Sequence, residues 1–249
     1  MKRNHAGSRR RPVEPKPGGN AGREAHLQAE ATAGRRGVDI VDDHPMTRAG
    51  IAQLVNQQQD MFVSFEADSP QAALTAIAEH GPDLLLTDLT MEGRAGLEFI
   101  KDVLALHPLL PVLVLSMHDE FIYAERALRC GAHGYVMKDQ GGDVLVSAIR
   151  RVLDGEIHVS PAMATRLLRN FGGFVETEEK SLTARLTDRE FQILELLGYG
   201  KSTEEIAGQL LISPKTVDVH RSHIREKLQL SNRTALMRFA VRWVESETS

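Results

Sequence analysis

The sequence predicts an α/β domain built on a five-stranded parallel sheet, followed by a smaller all-α domain of four helices. Three observations carry this expectation. Short apolar runs alternate with helix-period segments five times between Val38 and Val152. From Thr187 onward the periodicity is helical only, with repeated start signals. Charge is also distributed in blocks: residues 1–37 hold nine Lys/Arg against three Asp/Glu, residues 38–160 eight against nineteen, and residues 184–249 ten against nine. A chain of 249 residues with 42% hydrophobic content can bury two ordinary cores.

Residues 1–36 are rich in Arg, Pro, Gly and Ala and lack a repeating pattern of large apolar residues, so they cannot offset their ordering entropy. They are expected to form a disordered basic tail. The first domain then spans 37–158. VDIV is its first strand, and Pro45 opens a helix with Ile51, Leu54 and Val55 on one side. MFVSF is the second strand, followed by a helix after Ser69 and Pro70. DLLLT leads to a helix through Leu97, Ile100, Val103 and Leu104. PVLVLSM leads to one through Tyr123, Ala127 and Leu128, and GYVM to one through Val144, Ala148, Ile149 and Val152. Right-handed crossovers place the carboxyl end of every strand on one edge of such a sheet.

Residues 159–183 read as a linker carrying one helix, SPAMATRLLRN, before the polar GGFVETEEKSLTAR. In the last domain, 184–249, Thr187 with Glu190 and Ser202 with Glu205 fit the capping box. Ser213 precedes a first-turn proline, and a fourth helix starts near Ser231. The single cysteine, Cys130, cannot form an internal disulfide and reads as a small apolar filler. No apolar run approaches the roughly 18 residues of a membrane span, so a cytoplasmic protein without a membrane partner is expected.

Within DLLLTDLTMEG a costly carboxylate, Asp88, ends an apolar strand. Ligands of open parallel sheets sit beyond the carboxyl ends of the strands. That edge also receives Asp42 and Asp43 after VDIV, Ser116 after PVLVL and Lys138 after GYVM. Clustered carboxylates repel unless a cation is present, and oxygen-only ligands suit Mg2+. With the charge neutralised, Asp88 becomes a candidate nucleophile toward phosphorus, and Ser116 and Lys138 candidate holders of the transferred oxygens. Singly, each residue has an ordinary structural use as a cap, a strand end or a solvated charge; their joint placement favours a site.

In LISPKTVDVHRSHIREKLQL, Val217, His220, Ile224 and Leu228 share one helical stripe. Lys215, Asp218, Val219, Ser222 and Glu226 lie opposite, flanked by Arg221 and Arg225. Seven Lys/Arg and two acidic residues fall within 212–242. A packed face, an opposing face of short side chains and marginal cations suit a helix laid in a DNA major groove, with STEEIAGQLL before it as the first helix of a helix-turn-helix. Any amphipathic helix also has a solvated face, and His220 fits half-buried packing better than ligation.

VDDHPMTRAG, DLLLTDLTMEG, VLSMHDE and GYVMK resemble the receiver domain of two-component response regulators, over about residues 38–158. LTDREFQILELLGYGKSTEEIAGQLLISPKTVDVHRSHIREKLQLSNRTAL resembles the LuxR-type helix-turn-helix, over about 184–244, and the pairing is that of the NarL/FixJ class. The resemblance implies a flavodoxin-like (βα)5 receiver, not an enzyme, in which Asp88 takes a phosphoryl group from a cognate histidine kinase. It also implies Mg2+ held by Asp42, Asp43, Asp88 and the Thr90 carbonyl, with Tyr135 as the switching aromatic.

For the second domain it implies residues 214–228 as recognition helix, with Lys201, Lys215, Thr216, Asp218, Val219, Arg221, Ser222 and Arg225 as candidate contacts to double-stranded DNA. A homodimer formed on phosphorylation or DNA binding would read an inverted repeat, with RNA polymerase a further candidate partner. The last helix, through Leu236, Phe239, Ala240 and Trp243, resembles the family's dimer helix, although a core within the domain fits the same stripe. Glu92, Asp39 and Asp218 depart from the family pattern. Two alternatives remain at this level: a regulator that acts without phosphorylation, and a Mg2+-dependent phosphohydrolase, against which Thr90 stands where a second Asp is usual.

Overall fold

The structure, a computed structural model, describes residues 34–91, 96–171, 183 and 185–247. Most of the tail, Glu92 and the later part of the linker lie outside them. Strands β1 (Arg36–Val41), β2 (Met61–Ala67), β3 (Leu84–Thr87), β4 (Val112–Ser116) and β5 (Gly134–Met137) form one sheet in the order β2-β1-β3-β4-β5, and every pairing is parallel. Helices α1 (Pro45–Asn56), α2 (Pro70–His80), α3 (Gly96–Leu106), α4 (Glu120–Arg129) and α5 (Gly142–Leu153) connect and cover it. This is the doubly wound arrangement that five alternations imply, and a parallel sheet covered on both faces needs continuously apolar strands.

The period of two assigns the faces. Val38, Ile40, Leu84, Leu86, Leu113, Leu115 and Val136 pack with Ile51, Val55, Leu145, Ile149 and Val152 of α1 and α5. Val41, Leu85, Val112, Val114 and Tyr135 point to the other face, under Ile77, Phe99, Ile100 and Ala127 from α2, α3 and α4. Asp39 belongs to this second face and is only 1% exposed. Its Oδ1 accepts a 2.6 Å bond from Ser64, and burial raises its pKa despite that bond. The β1–β2 register shifts between Val38 and Asp39, so the departure noted in the sequence coincides with an irregularity of the ladder.

Two boundaries differ from the sequence reading. β1 begins at Arg36, which pairs with Met61, so the sheet takes in a residue assigned to the tail. The linker helix, α6 (Pro161–Phe171), is docked rather than free: Ser160 Oγ donates to the buried Glu120 Oε1 and Met163 is fully buried. The chain reaches α6 through a bridge between Gly134 and His158, where Tyr135 N donates to His158 O at 2.8 Å. A β-like fifth-strand extension and one apolar anchor thus make α6 part of the receiver surface.

The second domain contains α7 (Asp188–Gly198), α8 (Thr203–Gln209), α9 (Pro214–Lys227) and α10 (Arg233–Glu247). Both expected capping boxes form, and Ser213 caps α9 by accepting from Thr216 N. At α10 the capping side chain is Asn232, which accepts from Ala235 N at 2.9 Å, one residue beyond the expected start. Leu236, Phe239, Ala240 and Trp243 are buried in the same core as Phe191, Ile193, Leu194 and Leu197 of α7. Of the two uses the sequence left open for this stripe, a dimer face or a core within the domain, it serves the core of its own domain.

Helices α7 and α10 meet at Gly198, where an added Cβ would lie 2.4 Å from Val244 Cγ2 and 2.5 Å from the Ala240 carbonyl oxygen. A backbone oxygen cannot rotate away, so Gly198→Ala is expected to cost about 1–3 kcal/mol of stability in urea denaturation. Gly208 is also helical, but its Cβ would meet nothing within 4 Å. Gly208→Ala should be stabilising by about 0.5–1 kcal/mol in the same measurement.

Candidate functional site: an acidic edge wired to a helix-turn-helix

Ladder bonds carry the polar residues just past the strand ends. Asp42 N donates to Ala67 O at 3.1 Å, Asp88 N to Val41 O at 2.9 Å and Lys138 N to Ser116 O at 2.8 Å. The backbone that pairs the strands therefore also sets the side chains at one edge. Asp42 and Asp88 are 2% and 3% exposed, and Lys138 Nζ bridges them, at 2.8 Å from Asp42 Oδ2 and 2.7 Å from Asp88 Oδ2. Asp88 Oδ1 accepts from Thr90 N at 3.1 Å. Ser116 is fully buried, and its Oγ accepts from His118 N at 3.1 Å.

Burial pushes the Asp88 carboxyl above its ordinary range, and the Lys138 bond only partly opposes it. Burial alone would lower the Lys138 ammonium, but its bonds to Asp42 and Asp88 prevail and raise it. Lys138 thus stays charged while one cation faces several carboxylates. The sequence reading missed His44, whose exposed ring brings Nδ1 to 2.7 Å from Asp43 Oδ1. Asp42, Asp43, His44 and Asp88 each offer a ligand atom, all within 4.8 Å of one another. Asp43 Oδ1 is buried with no donor aligned on it. A hard cation such as Mg2+ fits the three carboxylates of this set: their oxygens converge, and the close approach of His44 Nδ1 to Asp43 Oδ1 is not aligned as a hydrogen bond. Of Thr90, the amide and hydroxyl are placed by Asp88 and His118.

Tyr135 lies inside, 1% exposed, and its hydroxyl donates to His118 O at 2.9 Å. His118 is a second residue that the sequence did not flag. Its Nε2 pairs with Thr90 Oγ1 at 2.9 Å, and its Nδ1 stands 3.8 Å from Glu195 Oε1 on α7. Glu195 is buried and accepts from Tyr123 Oη. Burial, then the neighbouring Glu195, holds the Tyr123 phenol well above its ordinary pKa, so it remains a donor. Asp188, in the first turn of α7, receives Lys101 at 3.0 Å and Arg126 at 3.1 Å. Arg126 also lies 3.9 Å above the Phe191 ring, which meets Tyr123 and Trp243 edge-on. The receiver's α3–α4 side and α7 therefore form a continuous contact of apolar and charged groups.

On the helix-turn-helix, Leu211 takes the left-handed conformation, φ 52°, and turns α8 into α9. Val217, Ile224 and Leu228 are buried as the stripe requires, and His220 is half-buried. Lys215, Val219 and Ser222 are exposed on the opposite side; Arg225 and Asp218 are partly exposed. Arg221 has a structural task, donating to Thr203 Oγ1 at 2.7 Å and tying α9 to α8. Thr216 Oγ1 bonds Ser213 Oγ at 2.8 Å within the cap, and Lys201 lies 3.9 Å from Glu205.

Residues 38–150 match the response regulator receiver domain, and residues 184–240 match the bacterial regulatory proteins of the luxR family. The oxygen regulatory protein NreC of Staphylococcus carnosus (strain TM300) is 34% identical over 207 residues, 82% of this chain and 95% of NreC. The chain is a two-component response regulator with a LuxR-type DNA-binding domain. Its fold is similar to that of RcsB from Salmonella enterica serovar Typhimurium bound to the promoter rprA in the presence of phosphomimetic BeF3−, at TM-score 0.55 and 26% identity, covering 83% of this chain and 98% of RcsB. A structure of two RcsB dimers bound to two parallel DNAs is similar at TM-score 0.51 and 26% identity, covering 86% of this chain and 100% of that one. Among the described residues of this response regulator, no helix is long and apolar enough to cross a membrane.

The raised Asp88 pKa has a stability consequence of definite sign. A carboxyl that binds its proton more tightly when folded contributes stability fully below its ordinary value of 3.8, and loses that contribution as pH rises through the raised value. In urea titrations without divalent cation, wild type should therefore lose stability across that window relative to Asp88→Asn. Added Mg2+ should narrow the difference. The Asp39 contribution, raised in the same direction, is common to both proteins and cancels.

Proposed function

We propose that Asp88 accepts a phosphoryl group from a histidine kinase and that the change reaches the DNA-binding domain through His118 and Glu195. The observation that carries this reading is the short bridge from the acidic edge to α7: Asp88 Oδ1 to Thr90, Thr90 to His118, His118 toward Glu195. In the transfer, an Asp88 oxygen bonds to phosphorus while the phosphorus–nitrogen bond of the donor imidazole breaks. Lys138, already bonded to Asp88, would receive one incoming oxygen, and Ser116 is the candidate for another. Asp42, Asp43 and Asp88 would hold Mg2+ with Thr90 nearby, and the ion would supply the charge needed to bring an anionic group against carboxylates.

A phosphoryl group competes for Lys138, Ser116 and the Thr90 hydroxyl. Drawing Thr90 or Ser116 toward phosphate withdraws partners from His118, whose carbonyl holds Tyr135 and whose ring abuts Tyr123 at 4.6 Å. The docked and released positions of α7 are the two states that phosphorylation biases. Lys215, Val219 and Ser222 face outward on α9 and would meet the major groove, with Lys201 and Arg225 toward phosphates. The RcsB dimers on DNA support a homodimer reading an inverted repeat. Because the Leu236–Trp243 stripe is buried, dimer contacts would use the exposed side of α10 around Val241.

Incubation with Mg2+ and a radiolabelled small phosphodonor should label wild type and leave Asp88→Asn unlabelled; equal labelling would overturn the phosphoacceptor assignment. Tyr123→Phe removes the donor of a buried carboxylate, which costs about 1–3 kcal/mol of docking. This variant should still be labelled, while the ratio of DNA affinities with and without phosphodonor falls toward one in a binding titration.

A further inference from the structure

Among the described residues, the phosphorylation chemistry leaves one cluster of ligating side chains unused, where α9 meets α7 and beside the outward face of α9. Glu190 of α7 and His220 and His223 of α9 each offer one ligand atom, and these atoms lie within 4.8 Å of one another. They line an open depression with Thr187, Glu226 and Lys227. The two histidines are three residues apart, so the helix presents them side by side. Their rings stand at 87° with centroids 6.4 Å apart, an arrangement in which two ring nitrogens can share one ion.

The hydrogen bonds around the cluster divide the Glu190 carboxylate. Oε2 is occupied, accepting from Lys227 Nζ at 2.6 Å and from Thr187 N at 2.8 Å. Oε1 faces His223 Nδ1 at 3.8 Å, beyond hydrogen-bond reach. His220 Nδ1 is buried without a hydrogen-bond partner, an unusual expense for a ring nitrogen packed between two helices. One carboxylate and two imidazoles thus converge, and one of the ring nitrogens is buried without a partner.

We propose that Glu190 Oε1, His220 and His223 form a binding site for a divalent transition cation of the zinc class. Two imidazoles and one carboxylate with an open fourth position are a zinc-type donor set, whereas Mg2+ prefers oxygen alone. The exposed His223 ring is free to rotate and shorten the remaining gaps to the 2.0–2.2 Å of zinc–ligand bonds, about a normal coordination distance. Lys227 stays on Oε2 and carries no ligand role. With one ligand on α7 and two on α9, a bound ion fastens the recognition helix to the helix that docks on the receiver. The site is independent of Asp88.

The test is calorimetric titration of Zn2+ into the full chain, free of any affinity tag, with Mg2+ in large excess to occupy the receiver edge. Wild type should bind one Zn2+, and its thermal transition should move upward on binding. His223→Ala truncates an exposed side chain and keeps the fold; it should weaken Zn2+ binding by about tenfold or more and abolish the thermal shift, as loss of a ligand costs at least as much as loss of a supporting partner. His220→Gln should do the same. Unchanged Zn2+ affinity in His223→Ala, or no uptake by wild type, overturns the proposal.

Discussion

One ammonium group organises the receiver. Lys138 Nζ joins Asp42 and Asp88, the residues just past the ends of two adjacent strands, with the lysine side chain 10% exposed. Without it, two nearly buried carboxylates would face each other across the sheet edge, and removing one partner from such a buried set costs about 3–5 kcal/mol. One positive charge does not balance the three carboxylates gathered there. The residual negative potential gives the edge its demand for a further cation, and Asp43 Oδ1, buried without an aligned donor, is where that demand is unmet. Burial, which outweighs the lysine, raises the Asp88 pKa, and the neighbouring Asp42 adds to the rise.

The contact between the domains extends that local electrostatics. Glu195 and Asp188 are both buried on α7, and both take their partners from the receiver: Tyr123, Lys101 and Arg126. A helix-turn-helix that released these carboxylates would return them to water, where they are well solvated. Buried charge pairs hold the domains in register yet add little net affinity over their desolvation cost. An interface built this way can be tipped by a small change at one of its members. His118 is the member that also belongs to the acidic edge.

Much of this arrangement was legible in the sequence. Alternating apolar runs gave the sheet and its helices because a covered parallel strand has no polar face to confuse the pattern. The two capping boxes and the Ser213 cap formed as written, because a cap is a local exchange of hydrogen bonds needing no distant partner. Asp42, Asp43, Asp88 and Lys138 converged, with Ser116 at the same edge beside Lys138, because the topology allows strand ends only one edge. His44, His118, Asp188 and Glu195 were not legible as a group. A histidine after a strand and a glutamate within a helix signal nothing until two domains meet. The stripe of Leu236, Phe239, Ala240 and Trp243 shows the converse: periodicity says that a face is covered and not by what.

The helix α9 divides its circumference among three tasks, and the division constrains how the regulator works. Val217, Ile224 and Leu228 fix it to the domain core, while Lys215, Val219 and Ser222 remain outward. Arg221, between these faces, reaches Thr203 and orients α8. The outward face is not covered by the receiver contact, which runs through α7. If this face reads DNA as proposed, control exerted through α7 would not hide it; it would act on where the whole helix-turn-helix is carried. Two recognition helices must stand about one DNA turn apart to read paired half-sites. On the proposed switch, holding α7 against α4 would fix each copy to its receiver, and release of that hold would free a pair to adopt the spacing DNA imposes.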